Sequence, residues 1–167
     1  MRQLISICVI VVFVLGSSSC EKTKKYPDEP VITFESIYTK IGSNGKDSTL
    51  SIDFSFTDGD GNLGLRDSDL SPPFDPGSYY HNNFFGKYFK QINGVFVHDT
   101  LVKINGRIPY LNSGGNNKAL TGDITYDILL LGLNTPGDTV KIEFFVVDRD
   151  LNHSNIITTP SIVVRTI

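Results

Sequence analysis

The stretch TLSIDFSF, residues 49–56, sets Leu50, Ile52, Phe54 and Phe56 on one side of the chain and Ser51, Asp53 and Ser55 on the other. Successive side chains of an extended backbone point to opposite faces, so this period of two predicts a strand with one face on a core and one in water. Outward from it the same signal recurs. VITFESIYT (31–39) reads as a preceding strand, and NNFFGKYFKQINGVFVHD (82–99) as a hairpin whose Asn93-Gly94 pair tolerates the positive φ angles of a tight turn. Further strands are expected at 101–109, 123–131, 139–147 and 155–164, separated by breaker clusters such as NSGGNN (112–117) and NTPGD (134–138). No segment after the N-terminal run carries a helical period over three turns. Seven to eight short strands punctuated in this way predict an all-β, immunoglobulin-like antiparallel sandwich over residues 31–167.

Composition agrees with a single domain. The chain has 167 residues, 40% of them hydrophobic and 20% charged, enough apolar material for one core. The net charge of -3 offers no basic field to phosphates, which argues against a nucleic-acid partner. There is no tryptophan. An inter-sheet disulfide cannot form either, because Cys8 falls in the segment expected to be cleaved and Cys20 is then alone.

Residues 1–19 read as a signal peptide: Arg2, an apolar run from Leu4 to Leu15, then Gly16, Ser17, Ser18 and Ser19 before Cys20. As a helix, that run would span about 18 Å, short of the roughly 30 Å of hydrocarbon in a bilayer. A cysteine closing a small-residue run resembles the lipobox of bacterial lipoproteins, with Ser17 standing where leucine is usual. The resemblance implies lipidation of Cys20 and a membrane partner reached through that anchor. Residues 20–30, rich in charge and carrying Pro27 and Pro30, are then a flexible tether.

FSFTDGDGNLGL (54–65), the aromatic hairpin closed by Asn93-Gly94, RIPYLNSGGNNKALTGDITYDI (107–128) and VKIEFFVVDRDLNHSNIITTP (140–160) follow one another in an order that resembles a group of uncharacterised Bacteroidota-type lipoproteins. The resemblance covers most of the mature chain. It implies an exported, Ig-like β-sandwich lipoprotein of the cell envelope, placed at the outer membrane, and carries no established activity. The lysines after Cys20 differ from the acidic export signal associated with surface lipoproteins in that group and favour the periplasmic side.

Two features bear on chemistry. DGDGNLGLRDSD (58–69) places Asp58, Asp60 and Asn62 two residues apart after a strand, with Asp67 and Asp69 beyond. Its spacing is not that of an EF-hand, because the sixth position is Leu63 and the twelfth is Asp69. In an immunoglobulin topology this loop emerges at the same end as DRDLNHSN (148–155), which brings Asp148 and Asp150 within reach. Calcium, which takes six to eight oxygens, would relieve the repulsion among such carboxylates. The competing reading is a polar turn in which Arg66 and Arg149 neutralise the acids as ion pairs. The second feature, SYYHNNFFGKYF (78–89), sends Phe84 and Tyr88 to one face and Phe85 and Phe89 to the other. Whichever of Phe85 and Tyr88 is exposed would offer a partner surface to an envelope protein or glycan. The histidines lack zinc-ligand spacing and no serine sits in a nucleophile elbow, so no enzyme is expected. The sequence thus favours a non-catalytic binding or scaffolding module, over an envelope glycan hydrolase or a structural spacer.

Overall fold

A computed structural model describes residues 26–43, 45–111, 119–130 and 137–165 of the protein. The signal segment 1–19 and Cys20 lie outside the described residues. Among the described residues eight strands form: β1 (Val31–Ile41), β2 (Asp47–Asp58), β3 (Phe84–Ile92), β4 (Val95–His98), β5 (Leu120–Leu129), β6 (Thr139–Val146), β7 (Ile157–Thr158) and β8 (Ile162–Val163). They make two antiparallel sheets, one in the order β1-β2-β5 and one in the order β4-β3-β6-β7, with β8 also pairing β6. This is the connectivity of an immunoglobulin-like sandwich. Among the described residues no helix is long and apolar enough to cross a membrane.

The core lies where the apolar rows face each other. Leu50, Ile52, Phe54 and Phe56 of β2 are buried, as are Val140, Ile142, Phe144 and Val146 of β6. The Phe54 ring sits 5.2 Å from that of Phe144 and 6.3 Å from that of Phe84, so the two sheets meet through aromatic contacts. Burial of each such side chain contributes about 1.5–3 kcal/mol relative to exposure. Tyr126 of β5 stacks on Phe84 at 3.6 Å and donates its hydroxyl to Ile104 O at 3.0 Å, which satisfies the phenol that burial pushes up to about 12.

The outer faces differ in chemistry. On the β1-β2-β5 sheet, Asp53 accepts from Ser36 and Thr125, and Asp127 accepts from Ser51 and Lys40, which makes a polar lattice suited to water. On the other sheet the outward residues of β3 and β6 include Phe85, Phe89 and Phe145, with the Lys141 ammonium 5.5 Å from the Phe89 ring and 4.6 Å from that of Phe96. The hairpin turn is as expected, with Asn93 at φ 50° and Gly94 at φ 82° between paired Ile92 and Val95.

Two segments depart from the expected strands. Residues 101–109 form no strand; only isolated bridges occur, Gly106 with Phe84 and Pro109 with Leu65. Side chains take the place of a ladder there, because the buried Asn83 carboxamide accepts from Ile108 N at 2.6 Å and donates to Ile108 O at 3.1 Å, while Tyr126 holds Ile104 O. Residues 155–164 break into β7 and β8 around Pro160, where Thr159 Oγ1 accepts from Ile142 N in place of a regular rung.

At the end of the sandwich where β1 begins, the Asn155 side chain joins the sheets. Its Oδ1 accepts from Ile32 N at 2.8 Å and its Nδ2 donates to Ile32 O at 2.9 Å. Residues 26–30, expected within the tether, pack against the same end: Pro30 is buried and Gly59 N donates to Pro27 O at 2.8 Å. A Cβ at Gly59 would collide with the carbonyls of Tyr26 and Pro27, so glycine is what lets these two backbone segments touch.

Candidate functional site

Asp58 and Asp148 are placed by the same alternation that builds the core. Asp58 is the next member of the row Leu50, Ile52, Phe54, Phe56, and Asp148 is the next after Val140, Ile142, Phe144, Val146. Each row therefore ends in a carboxylate at the same end of the sandwich, and the two side chains are 0% and 1% exposed. Asp60 joins them from the β2–β3 loop. One oxygen each from Asp58, Asp60 and Asp148 lies within 4.8 Å of the other two.

Local turns hold the three in place. Asp58 Oδ2 accepts from Leu63 N at 2.7 Å and its Oδ1 from Gly61 N at 3.3 Å, which folds the loop back over the strand end. Asp148 Oδ1 accepts from Asn152 N at 2.8 Å and its Oδ2 from Asn152 Nδ2 at 2.9 Å. Asn62 Nδ2 donates to Asp60 Oδ2 at 2.8 Å and to Asp150 Oδ2 at 3.0 Å, which links the two loops. Thus Asp58, Asp60 and Asp148 come together directly, while the Asp150 carboxylate is tied to the group through Asn62.

The electrostatics are uncompensated. Burial, followed by the neighbouring Asp60 carboxylate, pushes Asp58 up to about 6 against the opposing bond from Leu63 N. Burial also raises Asp148, with Asp60 adding to the effect and Asn152 opposing it. Asp60 Oδ1 and Asn62 Oδ1 are buried acceptors with no hydrogen-bond partner. The ion-pair arrangement that the sequence allowed is absent among the described residues. Arg66 and Arg149 lie instead over the Tyr110 ring, at 3.9 Å and 4.6 Å from its centroid. Neither guanidinium pairs with the acids, and Arg149 Nη1 is itself buried without a hydrogen-bond partner. The far part of the acidic stretch is a turn: Asp69 Oδ2 accepts from Arg66 N at 2.9 Å and Asp67 is exposed.

The residues fit a hard divalent cation. Three carboxylates converge as oxygen donors, a set matched to calcium, with water able to complete the shell, and the neighbouring Asn62 Oδ1 is a buried oxygen without a partner.

The expected partner surface requires correction. Phe85 and Tyr88 are both buried, 5% and 0% exposed. Tyr88 is in the core, on the inward face shared with Phe84. Phe85 points outward as alternation requires, yet the chain covers it: Tyr79, from the 3-10 turn Tyr79–His81, stacks on its ring at 4.7 Å, and Phe145 stacks beside it at 5.1 Å. Tyr79 itself is exposed. Beside it is a cleft of about 240 Å³. Long-range covering by residues 79–81 and 102–105 is what strand alternation alone could not reveal.

Compared with known proteins, the chain matches no family model, no curated protein and no solved structure.

Proposed function

We propose that the protein is a lipid-anchored, non-catalytic β-sandwich module of the bacterial cell envelope whose β2–β3 and β6–β7 loops are joined by calcium. The observation that carries the cation is the convergence of one oxygen each from Asp58, Asp60 and Asp148, at a loop where Asp60 Oδ1 and Asn62 Oδ1 are buried and unpartnered. Buried acceptors without donors are costly, and a cation is the partner that satisfies several at once. A raised carboxyl such as Asp58 also suits a general acid. Against that use, both of its oxygens accept from backbone amides and its side chain is buried.

Calorimetric titration of the metal-free protein with calcium tests the cation. Saturable heat is expected together with a raised thermal midpoint; neither appearing at about millimolar calcium removes the metal and leaves a polar turn. The anchor rests on Cys20 closing a run of small residues. Cys20→Ser is expected to move the protein out of the membrane fraction or to block its maturation, and normal processing with retention in the detergent phase would refute lipidation.

A further inference from the structure

We propose that the cleft on the outer face of the β3–β6 sheet binds a carboxylate-bearing sugar ring, a uronic acid unit of a glycan. The site is separate from the three aspartates and does not depend on a cation there. At about 240 Å³ it is somewhat smaller than the roughly 300–1,000 Å³ of pockets for larger ligands, a size suited to one ring.

Its chemistry is divided in the way a pyranose requires. One side is aromatic: Tyr79, with 62% of its surface open, stacks on Phe85 and covers it, and Phe145 stacks beside Phe85 in the cleft lining. The flat C–H face of a sugar buries apolar area against such rings. The other side is polar. Glu143 accepts from Lys87 at 2.6 Å and offers an acceptor to hydroxyls, while Asn105 Oδ1 accepts from Gly86 N at 3.0 Å and so leaves its NH2 group as a donor. A hydroxyl both donates and accepts, and this rim supplies both counterparts.

Charge selects an acidic ring over a neutral one. Glu143 neutralises Lys87, whereas Lys103 has no ion-pair partner among the described residues. The cleft thus holds an excess positive charge in a chain whose net charge is -3. A carboxylate on the ring would meet that ammonium in a charge-assisted hydrogen bond.

The test is titration of the full-length protein with D-glucuronate and, separately, with D-glucose. It is followed by amide NMR and by tyrosine fluorescence, which no tryptophan obscures. Saturable shifts at Gly86, Lys103 and their neighbours are expected with glucuronate. Binding should weaken about tenfold or more in Tyr79→Ala, through loss of ring contact, and in Lys103→Met, through loss of the charged bond. Both residues are exposed, so both variants are expected to fold. The proposal is overturned by any of three results. These are no saturation by about 100 mM glucuronate, where binding ceases to be specific, equal affinity for glucose, or affinity unchanged in both variants.

Discussion

Asp58 ends the core-facing row of β2, Asp148 continues that of β6, and these two carboxylates from opposite sheets approach within 4.8 Å. Two like charges at the end of an apolar core oppose each other and the sandwich that joins them. A cation between them would turn that repulsion into a link between sheets.

Asp148→Asn is therefore expected to remove most of the calcium-dependent stabilisation. At calcium one hundred times its Kd, mass action gives about 2.7 kcal/mol, or roughly 5–10 °C in thermal midpoint for a domain of this size. Asp150→Asn should leave the larger part, because the Asp150 carboxylate is outside the three converging acids and is tied to them through Asn62. Differential scanning calorimetry of both variants with calcium and with EGTA measures the contrast, and equal loss in the two would contradict the assignment.

The metal-free protein should show an inverted acid response at this site. The Asp58 carboxyl titrates near 6 when folded against an ordinary value of 3.8, so between these values the folded state holds the extra proton. Stability from this group is greatest at low pH, falls as pH rises from 3.8 to about 6, and stays at the lower level above. Asp148, also raised, acts in the same direction. Calcium affinity runs the opposite way, rising through the window as the proton is displaced. Midpoints measured in EGTA at about pH 5 and about pH 7 should fall further in the native protein than in Asp58→Asn; identical changes in the two would exclude the site as the cause.

Gly59→Ala should disturb the approach of residues 26 and 27, whose carbonyls occupy the position of the new methyl group. A cost of about 1–3 kcal/mol is expected, the range for forcing an atom into a packed contact. Hydrogen exchange at the residue-59 amide should accelerate, since its bond to Pro27 O would lengthen. An unchanged midpoint together with unchanged exchange would show that the N-terminal segment yields freely.

Asn155→Ala should loosen β1 from the opposite sheet. The substitution leaves the N–H and C=O of Ile32, a residue 2% exposed, without their partners, at a cost of about 1–3 kcal/mol. Faster exchange confined to Ile32 and its neighbours is the expected sign; exchange that accelerates evenly along β2 and β6 would point to global destabilisation instead.

Much of the sandwich was legible because alternation is a local property. Leu50 to Phe56 and the Asn93-Gly94 turn declare themselves within a few residues. The depth of Asp58 and Asp148 was also open to view by counting one step further along each row, but an acid after a strand reads first as a turn. What the chain does not state locally is who covers whom. Phe85 lies on the face that alternation gives it, and the stacked rings of Tyr79 and Phe145 bury it there. Residues 101–109 have the apolar content of a strand, yet Asn83 and Tyr126 take their backbone groups before a neighbouring strand can. Likewise, Arg66 and Arg149 look like counter-ions by proximity in sequence, and Tyr110 claims them.

The contact between Gly59 and Pro27 also has a mechanical meaning. Tension arriving through the N-terminal segment reaches this contact first and β1 next, beside the Asp58 carboxylate. β1 is joined to β2 by ten antiparallel pairs, beginning with Val31 opposite Thr57. A pull along the strand axis loads these rungs in shear and shares the force among them, whereas a pull away from the sheet opens them one after another from Val31. A cation held by Asp58 at that first rung would act as a clasp, raising the force at which the unzipping begins.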